Sequence, residues 1–185
     1  MANCENNYAN LIGKACRIRA CDGCADTVPG SGDWKYFGAM TTKSFDLAPD
    51  TVNSDADNTG AFTAGIVTGA SLSISGDGEF LSQDKPYEYG VYRAMGYFVE
   101  ELANSRQPSL WIMLDWGDMS IRMYANITAF SGEAPSKDLV TYSIEFQPAD
   151  GNSVKFIRKG DVEVTGVTAS PKTLTIAVSD TVTVA

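Results

Sequence analysis

The sequence contains no histidine, which removes the commonest general base and the commonest metal ligand together. No run approaches the ~20 consecutive apolar residues of a membrane-spanning helix. The opening MANCENNYANLIGKAC lacks the basic-then-apolar pattern of a secretory leader. The expectation is a chain that folds in the cytoplasm and makes no membrane contact. A phosphate-cradling glycine loop, a nucleophile elbow and the ingredients of a catalytic triad are also missing, so the chain reads as no enzyme. Nor does any basic residue fall between Lys43 and Lys85, an interval holding Asp46, Asp50, Asp55, Asp57, Asp77, Glu79 and Asp84. Those seven acids supply −7 of the formal −9 charge, so the remainder is nearly balanced. Such a block is either a solvated loop with strand edges, or a surface that repels polyanions or meets a basic partner. Tight binding of nucleic acid by phosphate neutralisation is disfavoured in both cases.

What is present fits a soluble globular chain of 185 residues, 44% apolar and 20% charged, in one domain with an appendage. Residues 1–15 are polar and Asn-rich and read as an arm. ACRIRACD (15–22) alternates, with Cys16, Ile18 and Ala20 on one face and Arg17, Arg19 and Cys21 on the other. TVPGSGD (27–33) is a turn cluster, and 34–47 leans to strand. Residues 48–65 show no period and are rich in turn formers, so they read as a long functional or disordered loop. Strand returns at 66–81, with Leu72 and Ile74 in phase. One helix is expected at 87–105, with Val91, Met95, Phe98, Val99 and Leu102 as its apolar stripe, Asp84 and Pro86 near its first turn and Pro108 beyond it. Alternating segments follow at 109–116, 120–130 and 138–147, and shorter ones at 153–157 and 161–167 complete the sheet. Leu174–Val178 and Thr181–Val184 read as two further strands. The fold class is therefore mainly β: an antiparallel sandwich or barrel with one packed helix.

Candidate chemistry is sparse. Cys4, Cys16, Cys21 and Cys24 include a C-x-x-C knuckle, and all four could complete a tetrahedral zinc site, although the spacing fits no standard ribbon and a second knuckle is absent. Reduced, partly buried thiols are the other reading. The stretch 55–66 starts like a calcium loop at Asp55, Asp57 and Gly60 but places Ile66 where a bidentate Glu is required. Asn126-Ile127-Thr128 is a sequon inside a strand and carries no weight. Asp115 and Asp118 flank Trp116 and read as surface turn residues. No cofactor is expected.

The run DWKYFGAMTTKSFDLAPDTVNSDADNTG (33–60), followed by strand, single helix and an antiparallel run that includes TYSIEFQPADG, resembles the tail tube (major tail) proteins of long-tailed bacteriophages. The segment VTGVTASPKTLTIAVSDTVTV (164–184) resembles the opening of a bacterial Ig-like domain, with Ser179 where such domains usually carry Gly. The resemblance implies a tail-tube domain over 16–163 and a linker with a truncated Ig-like segment over 164–185. It further implies a virion protein, assembled in the host cytoplasm into stacked hexameric rings whose lumen conducts DNA. Partners would be further copies of the chain, then tape-measure, tail-terminator and baseplate proteins, with transient contact to DNA. Phe45, Asp46, Leu47, Asp50, Val52, Asn53, Asp55, Asp57 and Phe62 would make the contact between subunits or rings. Asp77, Glu79, Asp115, Asp118 and Glu145 are the candidate lumen acids. A type VI secretion-like tube protein and a bacterial surface adhesin module are the alternatives.

Overall fold

The structure, a computed structural model, describes residues 10–54, 64–160, 164–170 and 173–178. The strands are β1 (Arg17–Cys21), β2 (Lys35–Tyr36), β3 (Met40–Ser54), β4 (Ala64–Glu79), β5 (Ser109–Trp116), β6 (Met119–Glu133), β7 (Thr141–Pro148), β8 (Lys155–Arg158), β9 (Val164–Ser170) and β10 (Thr173–Val178). Among the described residues one α-helix, α1 (Val91–Ala103), falls between β4 and β5. The main sheet runs β2-β1-β5-β6-β7-β4-β3, with β8 also on β6, and every pairing is antiparallel.

Period-two alternation decides which face is buried. Ile18 and Ala20, Leu110, Ile112 and Leu114, Ile121, Met123 and Ala125, Tyr142, Ile144 and Phe146, and Leu72 and Ile74 all join one core cluster. The sheet curls around that cluster. Phe45 on β3 meets Trp116 on β5 edge to face at 5.2 Å, although the two strands lie far apart in sheet order. Close approach also explains Gly78: a Cβ there would collide with the Ala39 carbonyl and the Tyr142 ring. Val140, which alternation along 138–147 places inward with Tyr142, Ile144 and Phe146, is exposed.

The helix differs from its sequence expectation. It buries Val91 and Ala94 and packs Tyr97 and Phe98 on the core. Met95, Val99 and Leu102, expected in the buried stripe, are exposed along with Tyr92. Val91 belongs to two apolar stripes, and the one passing through small Ala94 allows closer approach to the sheet. Asp84 is the N-terminal anchor: its carboxylate accepts from the amides of Tyr92 (3.2 Å) and Arg93 (2.9 Å), two otherwise unpartnered donors. Gly90 leaves room for it, since a Cβ at 90 would overlap Asp84.

Another expectation changes. The segment at 161–167 was expected to complete the sheet, yet Val164–Ser170 pairs with Thr173–Val178 in a separate two-stranded sheet. On the alternating segment 109–116 both faces are covered, since Trp111 and Met113 are buried as well as Leu110, Ile112 and Leu114. The 21–33 connection covers the Trp111 face, where the Trp111 indole N–H donates to the Cys24 carbonyl at 3.0 Å. The expected strand Thr181–Val184 lies outside the described residues, as do residues 1–9 of the arm.

Candidate assembly surface

The 48–65 segment was expected to be a loop, but most of its described part is strand. β3 runs to Ser54 and β4 begins at Ala64. β4 pairs with β7 only from Ile74 to Glu79, while its ladder with β3 continues out to Asn53↔Gly65 and beyond. From Leu47 outward the two strands therefore stand as a ribbon with no third strand among the described residues. Residues 47–54 alone span about 26 Å. The turn-rich composition concealed this because edge strands tolerate residues that central strands exclude. Pro49 sits on β3, the sheet's edge strand, opposite Ala70.

The ribbon has two unlike faces. Phe45↔Ile74, Leu47↔Leu72, Pro49↔Ala70 and Thr51↔Val67 continue the apolar face of the core outward. Asp46↔Ser73, Ala48↔Ser71, Asp50↔Gly69 and Val52↔Ile66 occupy the other. Leu47, Val52, Ile66 and Val67 are 48%, 57%, 58% and 63% exposed. An isolated two-stranded ribbon is marginal in water, and about half of each of these side chains stays uncovered by the fold that carries it. Ile66 and Val67 fall on the strand expected at 66–81, whereas Thr51-Val52, a β-branched pair with the same strand signal, lies in the segment expected to be loop.

The polar face continues onto the sheet. Register puts Asp46, Asp77 and Glu79, Glu145, and Glu133 on the face opposite the core, across β3, β4, β7 and β6. Ser143 donates to Asp77 (2.7 Å), the Ser44 and Ser75 hydroxyls share a 2.7 Å hydrogen bond, and Gln147 donates to Glu145 (3.0 Å). No described basic side chain is ion-paired to Asp77, Glu79 or Glu145. The other two candidates sit elsewhere. Asp115 is half-buried, paired with Arg19 at 2.6 Å and hydrogen-bonded to Ser120. Asp118 lies in the exposed β5–β6 turn.

The three described cysteines do not converge on a metal site. Cys16 lies just before β1 and is buried, Cys21 ends β1 and is half-buried, and Cys24 is exposed in the connection that follows. Among the described residues no group of three or more Cys, Asp or Glu could hold a metal. Burial, and then the charges of Asp33 and Asp22, push the Cys21 thiol upward, away from the thiolate a metal needs. Asp22 itself accepts from the Tyr89 hydroxyl (2.7 Å) and pairs with Arg93. Cys4, Asp55, Asp57, Gly60 and Phe62 lie outside the described residues.

No family model and no curated protein sequence matches the chain. Solved structures do. A tail of an empty gene transfer agent (GTA) particle, refined with helical C6 symmetry, aligns at a TM-score of 0.59 and 18% identity, covering 80% of this chain and 99% of that one. The SPP1 tail tube aligns at 0.51 and 14% identity, over 75% of each chain. A chain of the six-fold symmetrised anti-feeding prophage baseplate aligns at 0.54 and 6% identity, over 82% and 97%. The chain has the tail-tube fold.

Proposed function

We propose that this chain is a tail tube subunit of a phage-type particle. Six copies form a ring, rings stack, and genome DNA passes through the lumen. The observation that carries this reading is the projecting β3–β4 ribbon with its exposed apolar side chains on a tail-tube fold. A ribbon of that kind stabilises an assembly, whereas in a monomer about half of each of these side chains stays uncovered. Sheet edges of neighbouring subunits join, which removes the exposed edge of β3. Asp77, Glu79 and Glu145, joined by Glu133, line the lumen, where carboxylates repel phosphates and let DNA slide. Tape-measure, tail-terminator and baseplate proteins bound the tube. The segment 164–185 is read as part of an Ig-like appendage; the antiparallel β9–β10 pairing within its described residues supports a β element there.

Negative-stain electron microscopy of the purified chain across a concentration series tests the reading. Six-fold rings or hollow tubes are expected. A particle that stays monomeric at every concentration, with or without preformed tube seeds, would refute it. The anti-feeding prophage baseplate likeness favours a second reading, a ring at the tube's end rather than along its length. Single rings that never stack would select it.

A further inference from the structure

Three cations gather at one place on this acidic chain. Lys14, Arg17 and Lys43 line a hollow of about 330 Å³ between the start of β1 and the β2–β3 connection. Its one acid, Glu88, is paired with Lys85 at 3.3 Å. Arg17 lies over the Tyr36 ring, 4.7 Å from its centroid. None of the three cations pairs with a carboxylate among the described residues. A second hollow of about 400 Å³ adjoins the first, sharing Cys16 and Lys43, and adds Leu11 and Trp116. Together they form a groove with positive charge and apolar wall in one place.

We propose that this groove receives the β3–β4 ribbon of a second copy of the chain, a reading that rests on the tube-subunit function above. The match is chemical on both counts. One ribbon face carries Asp46 and Asp50 beside the cross-strand pair Val52 and Ile66, all exposed. No basic residue interrupts the sequence from 44 to 84. The carboxylates meet Lys14, Arg17 and Lys43 while Val52 and Ile66 cover the apolar wall. The ribbon cannot serve its own groove. Lys43 and Asp50 sit on the same strand, about 23 Å apart, and an extended strand does not fold back on itself. The contact is therefore between copies, and its sense is head to tail, which propagates rings or stacks. Complementary charge at such a contact sets register and excludes wrong pairings.

The test is a charge swap on the full chain, with critical concentration for assembly read by sedimentation. K14E/K43E and D46K/D50K should each raise it about tenfold or more. The four-fold variant should return to within about threefold of the unaltered chain. All changed side chains but the half-buried Lys43 are exposed, and a circular dichroism melt checks that each monomer still folds. In parallel, zero-length carbodiimide cross-linking of an equal mixture of light and heavy-isotope protein should join Lys14 or Lys43 to Asp46 or Asp50 across the two labels. Normal assembly by K14E/K43E, or a four-fold variant no better than its worse parent, would overturn the proposal alone. So would cross-links confined to one label. Loss of DNA retention by K14E/K43E with assembly unchanged would assign the groove to phosphate instead. Absence of any assembly by the unaltered chain would overturn the tube reading and this proposal with it.

Discussion

Replacing Val52 and Ile66 together by serine separates folding from assembly. The two side chains form a cross-strand pair near the end of the ribbon and are 57% and 58% exposed. Full burial of such a side chain contributes about 1.5–3 kcal/mol, so covering the exposed half of each is worth about 1 kcal/mol. The pair then supplies about 2 kcal/mol to a subunit contact, which corresponds to about a 30-fold change in critical concentration. The covered halves lie on a two-stranded ribbon outside the core cluster, which opens locally without the core, so the global unfolding free energy changes by less than about 0.5 kcal/mol. The expected outcome of V52S/I66S is thus a monomer melting within about 2 °C of the parent, with assembly shifted about 30-fold in concentration. Sedimentation against concentration and a thermal melt of the dilute protein read the two quantities. An unchanged critical concentration would show that the ribbon is not buried in the assembly. A melting temperature that falls in step with assembly would show that the pair supports the fold itself, and the argument would fail.

Gly90→Ala should cost about 2–4 kcal/mol, because its methyl displaces Asp84, adding overpacking to the lost amide bonds of Tyr92 and Arg93. On a D84G background the same change should cost under about 1 kcal/mol, since the obstacle is gone; additive costs in urea melts would disprove the coupling. Tyr142→Phe should raise the melting temperature by about 2–4 °C. The Tyr142 hydroxyl is buried with no hydrogen-bond partner among the described residues, and a lower melting temperature would mean that it has one. Burial, then the nearby Glu101 charge, push Tyr97 up to about 12, and Tyr89 and Tyr142 are displaced the same way, mainly by burial. An unfolded tyrosine ionises near 10, so between about pH 10 and 12 the folded state holds more protons than the unfolded one. Stability from these groups is constant below pH 10 and falls as pH rises through that window. A thermal melt series that is flat to pH 12 would contradict this.

Strand positions were legible wherever one face met the core and the other met water. β6 shows this best: Ile121, Met123, Ala125 and Ile127 are buried as their alternation required. β5 was placed correctly but is buried on both sides, because the covering 21–33 segment leaves no periodic trace in β5 itself. The helix was found and its buried face was not. Val91, Met95, Val99 and Leu102 form a regular stripe, yet only close packing reveals that Ala94 turns inward. The ribbon was hidden for another reason. It includes the sheet's edge strand, where proline, glycine and aspartate that a central strand would reject are tolerated. The acids at 77, 79 and 145 share a face through register between strands far apart in sequence, which no local pattern encodes. Asp115 lay in the same alternation, but Arg19 on the neighbouring strand neutralises it.

The central claim is a six-fold ring whose lumen is lined by the carboxylate face of the sheet. Cryo-electron microscopy of the assembled chain at side-chain resolution tests it most directly. The account predicts six-fold symmetry, with Asp77, Glu79 and Glu145 facing the channel and the β3–β4 ribbon buried against a neighbouring copy. A channel lined by the exposed face of α1, or an assembly that leaves the ribbon in solvent, would contradict it.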